Sequence, residues 1–269
     1  MCELFSLSGR LPAPVGFSLE QLARHGENAG PRDGWGVAFY DGRAVSLFRE
    51  PSPVSDSALV RFVEQHAPPS SLVISHIRKA TFGDRLLCNT HPFARELAGR
   101  EHIFAHNGNL AGIVQDPDFA PHRFQPVGDT DSELAFCNLL ERLAGLWEQD
   151  EDVIPALRDR LDIIAGFAAD LRAFGPANFL YSDADILFAH ADRRHQPDGE
   201  IRAPGLHFLM RSCREKAAVL TGGGVTMPAQ QQDVILVASV PLTDEGWQPM
   251  AEGEIIALGA GQIIGRRLP

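Results

Sequence analysis

The chain turns strand-like at its third residue. Residues 3–8 (ELFSLS) read as a short strand that starts directly behind Met1-Cys2. Chain ends fray unless tertiary contacts tie them down. A strand this close to the terminus therefore has to be buried in a sheet, and the fold must admit the amino terminus to its interior.

Further along, Ser18 followed by Gln21 makes a capping-box arrangement and predicts a helix over 18–28. Two β-rich runs flank Asp41-Gly42, a strong short-range hairpin signal. SSLVISHIRKAT (70–81) and REHIFAHNGNL (100–110) have apolar centres of strand length and deliver polar residues at their C-terminal ends. From Asp131 the spacing changes. Leu134, Phe136, Cys137, Leu140, Leu143 and Trp147 recur at helical intervals, as do Leu157, Leu161, Ile164, Phe167 and Leu171. Short strands return at NFLYS, DILFAH, GLHFLM, AAVLT, VILVASV, GEIIAL and GQIIG. Strands, a helix pair and strands again, without βαβ alternation, predict an α+β fold with antiparallel sheets. No repeat or low-complexity linker interrupts the pattern, and 195–205 (HQPDGEIRAPG) reads as a surface loop. One domain over residues 1–269 is expected.

With 44% hydrophobic and 22% charged residues over 269 positions, the chain can bury a sizeable core. A net charge of -11 argues against nucleic acid or an anionic membrane as partner, because either needs a basic surface. A small solute or another protein suits it better. No apolar run approaches the roughly 20 residues of a membrane span, and MCELFSLSGR has no basic segment ahead of its apolar stretch. A soluble cytoplasmic protein is the expectation. Cys2, Cys88, Cys137 and Cys213 lie far apart with no CxxC pair, which suggests neither a zinc site nor a disulfide framework. Three of them are expected to pack as small apolar side chains.

Cys2 is different. Initiator methionine is removed when the second residue is small, so the processed chain would start with a free α-amine beside a thiol. The amine has an ordinary pKa of about 7.7–8.0 and the thiol about 8.5, so the first can take the proton of the second near neutral pH. Nucleophile and base then come from a single residue. The competing reading is that cysteine stands at position 2 by chance.

The segments MCELFSLSGR, DGWGVAFYDG, SHIRKAT, NTHPF, AHNGNL and GDTDSE, in this order over residues 2–140, resemble the glutaminase domain of class II glutamine amidotransferases. Within that family the chain is similar to stand-alone γ-glutamyl amidohydrolases, and VASVPLTDEGWQP and EGEII extend the likeness over nearly the whole length. The resemblance implies an N-terminal-nucleophile hydrolase fold, a four-layer αββα sandwich of two antiparallel sheets. It also implies roles. Cys2 would be the nucleophile, and Asn107 and Gly108 the oxyanion donors, with glycine also permitting a positive φ. Arg78 would clamp the α-carboxylate of the glutamyl group with its planar fork, and Thr81 would line the pocket. Asp131 would receive the α-ammonium, in competition with Asp129. Either aspartate could cap the helix that begins near Ser132, and capping is expected alongside ligand binding.

NTHPF is expected to support the pocket, and Trp35 to pack near the nucleophile with Gly34 and Gly36 allowing close backbone approach. His91 and His106 form no HxH, HxxxH or HExxH spacing, so neither a metal nor another cofactor is expected. Lys79 and Phe82 depart from synthase-linked relatives, which carry an aromatic and a histidine there. Nothing after residue 150 looks like an ammonia-accepting domain. The expected activity is hydrolysis of the γ-glutamyl amide of glutamine or a γ-glutamyl conjugate through a Cys2 thioester. The alternatives are a glutaminase subunit serving a separate synthase partner and a catalytically silent relative. A homo-oligomer is also open.

Overall fold

In the computed structural model the described residues are 2–13, 16–17, 33–78, 84–149, 153–213, 220–222, 225–227 and 232–269. The helix expected over 18–28, Met1, Lys79, Thr81 and Phe82 lie outside them.

The early strand is real and central. β1 (Glu3–Ala13) runs antiparallel to β4 (Ser70–Arg78) on one side and to β12 (Gln232–Ala238) on the other. β2 (Gly34–Asp41) and β3 (Ala44–Glu50) extend the sheet beyond β4. β11 (His207–Cys213) and β13 (Gln248–Pro249) extend it beyond β12, giving the order β13-β11-β12-β1-β4-β2-β3. The hairpin expected at Asp41-Gly42 joins β2 to β3, with Asp41 paired to Ala44.

A second antiparallel sheet holds six strands. β5 (Phe93–Leu97) and β6 (Arg100–Gly108) pair with each other, and β6 also pairs with β7 (Ala177–Ser182). β8 (Leu187–His190), β14 (Ile255–Gly259) and β15 (Gln262–Arg267) complete the order β15-β14-β8-β7-β6-β5. β5 was not anticipated. Its turn to β6 uses Ala98 at φ 52° and Gly99 at φ 70°, the two left-handed positions of a tight hairpin, but without the Asn-Gly or Asp-Gly that advertises one. Short strands at Gly16–Phe17, Leu220–Gly222 and Val225–Met227 make a third, small sheet.

Three apolar layers hold the sheets and helices together. Alternation along β1 sends Leu4 one way and Phe5 and Leu7 the other. Leu4, Ile74 and Val237 meet Ile103, Leu180 and Ile256 between the two sheets. Phe5, Val37 and Val234 lie under α1 (Ala58–His66), which contributes Val60 and Val63. On the far side, Phe104, Phe179 and Phe188 pack against α2 (Asp131–Trp147) and α3 (Leu157–Arg172). Phe104 stacks on Phe136 with centroids 5.4 Å apart. Each such phenylalanine, fully buried, contributes roughly 1.5–3 kcal/mol. The result is the four-layer αββα sandwich expected from the resemblance. Among the described residues no helix is long and apolar enough to cross a membrane.

The segment expected as a surface loop carries a minimal ladder. β9 (Arg194–His195) pairs with β10 (Ile201–Arg202). This small arm stands beside the start of β1, as described next.

Candidate active site

Cys2 sits one residue ahead of β1, half-buried and outside any disulfide. Glu3 pairs with Ile77, so Arg78 ends the neighbouring strand at the same edge of the sheet. Arg78 is buried. Its guanidinium donates to the Asp84 carbonyl at 3.1 Å, and its own carbonyl accepts the Asp33 N–H at 2.9 Å. The first bond orients the charged fork, and the second fixes the backbone that carries it.

The other flank of β1 is anchored as firmly. The Leu4 N–H donates to Ser239 Oγ at 2.9 Å, and the Ser239 N–H donates to the Leu4 carbonyl at 3.1 Å. Arg194 donates to the Ser239 carbonyl and pairs with the buried Glu3 at 3.5 Å. Cys2 therefore lies between Arg78 on the β4 side and Arg194 on the β12 side.

The second sheet supplies the polar turn that faces Cys2. Asn107 and Gly108 close β6, and Asn107 Nδ2 donates to the Cys2 carbonyl at 2.7 Å. The Asn107 amide has two N–H groups, so this bond leaves one for another acceptor. Gly108 is required for a reason other than the one expected. It is not among the glycines with positive φ. Instead, a Cβ there would stand 1.8 Å from the Pro176 carbonyl oxygen and 2.7 Å from His106 Nε2. Close approach of two backbones, and not turn geometry, excludes every other residue. Gly36 plays a similar part, because its Cβ would meet the His91 carbonyl at 2.2 Å. That is the close approach expected around Trp35, which is itself wholly buried.

Asn178 escaped the sequence reading. It is fully buried in β7. Its Nδ2 donates to the carbonyls of Asn107 (3.2 Å) and Arg193 (2.8 Å), while its Oδ1 accepts the Asp192 N–H at 2.7 Å. One side chain thereby joins the Asn107 turn to the segment carrying Arg193 and Arg194. Its only trace in the sequence is an asparagine at the start of an otherwise apolar run.

Neither aspartate of GDTDSE caps α2. Thr130 does, accepting the Glu133 N–H at 3.2 Å. Asp131 is the first helical residue; its Oδ1 accepts the Ser132 N–H at 2.6 Å and its Oδ2 the Leu110 N–H at 2.8 Å. Asp131 therefore ties the 107–110 turn to the positive end of a helix. Asp129 turns elsewhere, its N–H donating to Asn89 Oδ1 at 3.0 Å. That bond, together with Asn89 Nδ2 donating to the Asp84 carbonyl at 3.2 Å, makes NTHPF the support it was expected to be.

Three histidines lie beneath these residues. His76 and His91 are 4.3 Å apart between ring centroids, and His106 Nδ1 is 2.9 Å from Ser132 Oγ. Burial pushes the pKa of His91 well below the ordinary histidine value, with His76, His106, Arg78 and Arg49 acting in the same direction. Burial also lowers that of His106, against the opposing pull of Asp131. Both are neutral near pH 7, so neither adds positive charge. Of the other cysteines, Cys137 is in the core, where burial raises its pKa to about 11, the mark of an inert thiol. Cys88 is half-buried, and the Cys213 side chain lies outside the description.

A cavity of about 300 Å3 opens at Cys2, Asn107 and Gly108. It runs toward Phe174, Pro176 and Ile201 on its apolar side and Arg193, Arg194 and His195 on its basic side. Arg78 and Asp131 are not part of its lining.

Comparison with known proteins bears on the family and the fold. The model of the family described as class II glutamine amidotransferases matches residues 1–268. A protein of Escherichia coli (strain K12) named "Putative glutamine amidotransferase YafJ" is 35% identical over 261 residues, covering 94% of this chain and 96% of the relative. A Haemophilus influenzae protein with the same general name is 33% identical over 271 residues, covering 98% and 86%. Among solved structures, that of a glutamine amidotransferase, so predicted, from Pseudomonas aeruginosa PA01 is 34% identical with a TM-score of 0.69, covering 98% of this chain and all of that one. The Bacillus subtilis glutamine phosphoribosylpyrophosphate amidotransferase, at 18% identity and TM-score 0.60, shares the fold over 99% of this chain and 48% of its own.

Proposed function

This chain belongs to the class II glutamine amidotransferases, and from that membership we propose that it is an amidohydrolase which cleaves γ-glutamyl amides with Cys2 as nucleophile. The observation that carries the reading is the 2.7 Å bond from Asn107 Nδ2 to the Cys2 carbonyl. It joins residues 105 positions apart and sets an amide donor beside the thiol, while Arg78 ends the adjacent strand.

Excision of Met1 turns the Cys2 nitrogen into an α-amine able to accept the thiol proton. The thiolate attacks the δ-carbon of the substrate. The oxyanion that forms takes hydrogen bonds from the remaining Asn107 N–H and the Gly108 backbone N–H. As the C–N bond breaks, the α-ammonium returns its proton to the departing nitrogen, and a γ-glutamyl thioester remains on Cys2. Water then cleaves the thioester, giving glutamate and the free thiol. Arg78 holds the α-carboxylate and Asp131 the α-ammonium, with Thr81 completing the glutamyl pocket. We read the whole chain as one glutaminase domain, supported by the family match over residues 1–268.

The test is release of glutamate from glutamine by processed protein, Cys2→Ala protein and protein that retains Met1, all matched for folding by thermal melting. The processed form should turn over, and the other two should fall to background. Activity in Cys2→Ala would remove the nucleophile assignment. Activity in the Met1-retaining form would remove the α-amine as base. Turnover that appears only when a synthase is added would make the chain an ammonia-supplying subunit.

A further inference from the structure

Asn107 and Gly108 face Asn178 and Ala177 in the last two pairs of the β6–β7 ladder. Backbone pairing is weakest where a ladder stops. Glycine at 108 lets the two backbones approach, and a freedom comes with it, because without a Cβ its φ can take either sign at little cost. The peptide joining Asn107 to Gly108 is planar, so its carbonyl and its N–H point in opposite directions. Turning that peptide over would put the Asn107 carbonyl where the Gly108 N–H had been. At a place where negative charge develops, a donor would be replaced by an acceptor.

Asn178 is placed to prevent this. It is wholly buried, and its Nδ2 donates to the Asn107 carbonyl at 3.2 Å and to the Arg193 carbonyl at 2.8 Å. Its Oδ1 accepts the Asp192 N–H at 2.7 Å. Two carbonyls need donors and one N–H needs an acceptor, so the amide fits in one orientation only. Gly205 makes room for it, since a Cβ there would stand 1.7 Å from Asn178 Oδ1 and 2.6 Å from the Asp192 carbonyl oxygen. Asp192 is itself buried, and its carboxylate accepts the Ala177 N–H at 3.1 Å and pairs with Arg172 at 3.1 Å. The Asn107 carbonyl is thus drawn toward β7 by a side chain that is held in its turn.

We propose that Asn178 is a positioning residue for the oxyanion hole: by holding the Asn107 carbonyl it fixes the 107–108 peptide with the Gly108 N–H turned away from β7, toward the reacting carbonyl. The proposal rests on the roles given to Cys2, Asn107 and Gly108 above. Asn178 touches no reacting atom and acts through the peptide alone. Aspartate, which has the same shape, lacks the two donors, and serine offers only one.

The experiment measures kcat and KM for glutamine and γ-glutamylalanine in wild type, Asn178→Ala and Asn178→Asp. Rates are expressed per Cys2 that 6-diazo-5-oxonorleucine labels at completion, counted by mass, and each protein is melted thermally. Asn178→Asp keeps the acceptor for the Asp192 N–H and loses both donors. Both variants should lower kcat per labelled Cys2 by about 10²-fold for either substrate, as loss of one oxyanion donor does. KM should stay close to that of wild type, because Arg78 and Asp131 are untouched. A residue that only supports the fold would lower the melting temperature and the labelled fraction and leave kcat per labelled Cys2 unchanged, and that result overturns the proposal. A rise in KM with kcat kept overturns it too. Wild type that is labelled yet turns over neither substrate would show that the held peptide makes no working hole, again against the proposal. Wild type that is neither labelled nor active would instead remove the Cys2 reading on which the proposal stands.

Discussion

The two flanks of Cys2 are built differently. On the β4 side, Arg78 is buried and bonded to backbone, and Asp131 has both carboxylate oxygens engaged. On the β12 side stands an arm of two two-residue strands, with Ile201 and His195 exposed. A side chain held by several bonds can present one geometry only, whereas an exposed arm can be changed without unsettling a core. Under the function proposed above, the firmly held flank is the one assigned to the glutamyl group.

That contrast is tested first at its boundary. With Asn107 as the oxyanion donor proposed above, Asn107→Ala should lower kcat by about 10²–10³-fold for glutamine and γ-glutamylalanine alike. Steady-state kinetics on both substrates is the check, and a loss confined to one of them would break the contrast. A smaller effect sharpens it from below. His190 lies in the second sheet behind the cavity's Asn178 strand, with Nδ1 2.6 Å from the Ala177 carbonyl and burial lowering its pKa to about 4. The unfolded chain binds that proton near pH 6.5 and the folded chain does not. Stability is therefore full above pH 6.5 and declines as the pH falls toward 4, by roughly 3 kcal/mol for this residue. Thermal melts of wild type and His190→Gln across that range should show a flatter pH dependence in the variant. The smallest effect belongs to Arg78→Lys, which keeps the charge but loses the fork. It should raise KM by about tenfold, with kcat little changed and by the same factor for every γ-glutamyl substrate. Unequal factors would mean that Arg78 also senses the leaving group.

The residues proposed for the glutamyl side were legible in the sequence because each stands at or next to the end of a strand or the start of a helix, inside a short contiguous motif. Cys2, Arg78, Asn107, Gly108 and Asp131 are all of this kind. The fold class followed from strand and helix periodicity for the same reason. The rest of the cavity beside Cys2 was not legible. Asn178 looks like one polar residue in a strand, and its bonds reach Asn107 and Arg193, 71 and 15 positions away. Phe174, Arg193, His195 and Ile201 share no spacing, and only the meeting of β7 with the β9–β10 arm brings them to one cavity. The cap of α2 was misassigned because Asp129, Thr130 and Asp131 are all good capping residues, and the bond from Leu110 that withdraws Asp131 comes from another strand's turn.

The central position of β1 also sets a timetable. Its partner β4 is made early in synthesis, but β12 and Ser239, which accepts the Leu4 N–H from 235 residues away, are made late. At about 5–20 residues per second, translation leaves roughly 10–50 s between the appearance of Cys2 and the arrival of the strand that encloses it. Long-range pairing of this kind is also slow to form once the chain is complete. During that interval the start of β1 hangs from an unfinished sheet, and the mechanism proposed above would have Met1 removed then. A fold that encloses β1 last leaves Cys2 outside a finished pocket until nearly the whole chain has been made.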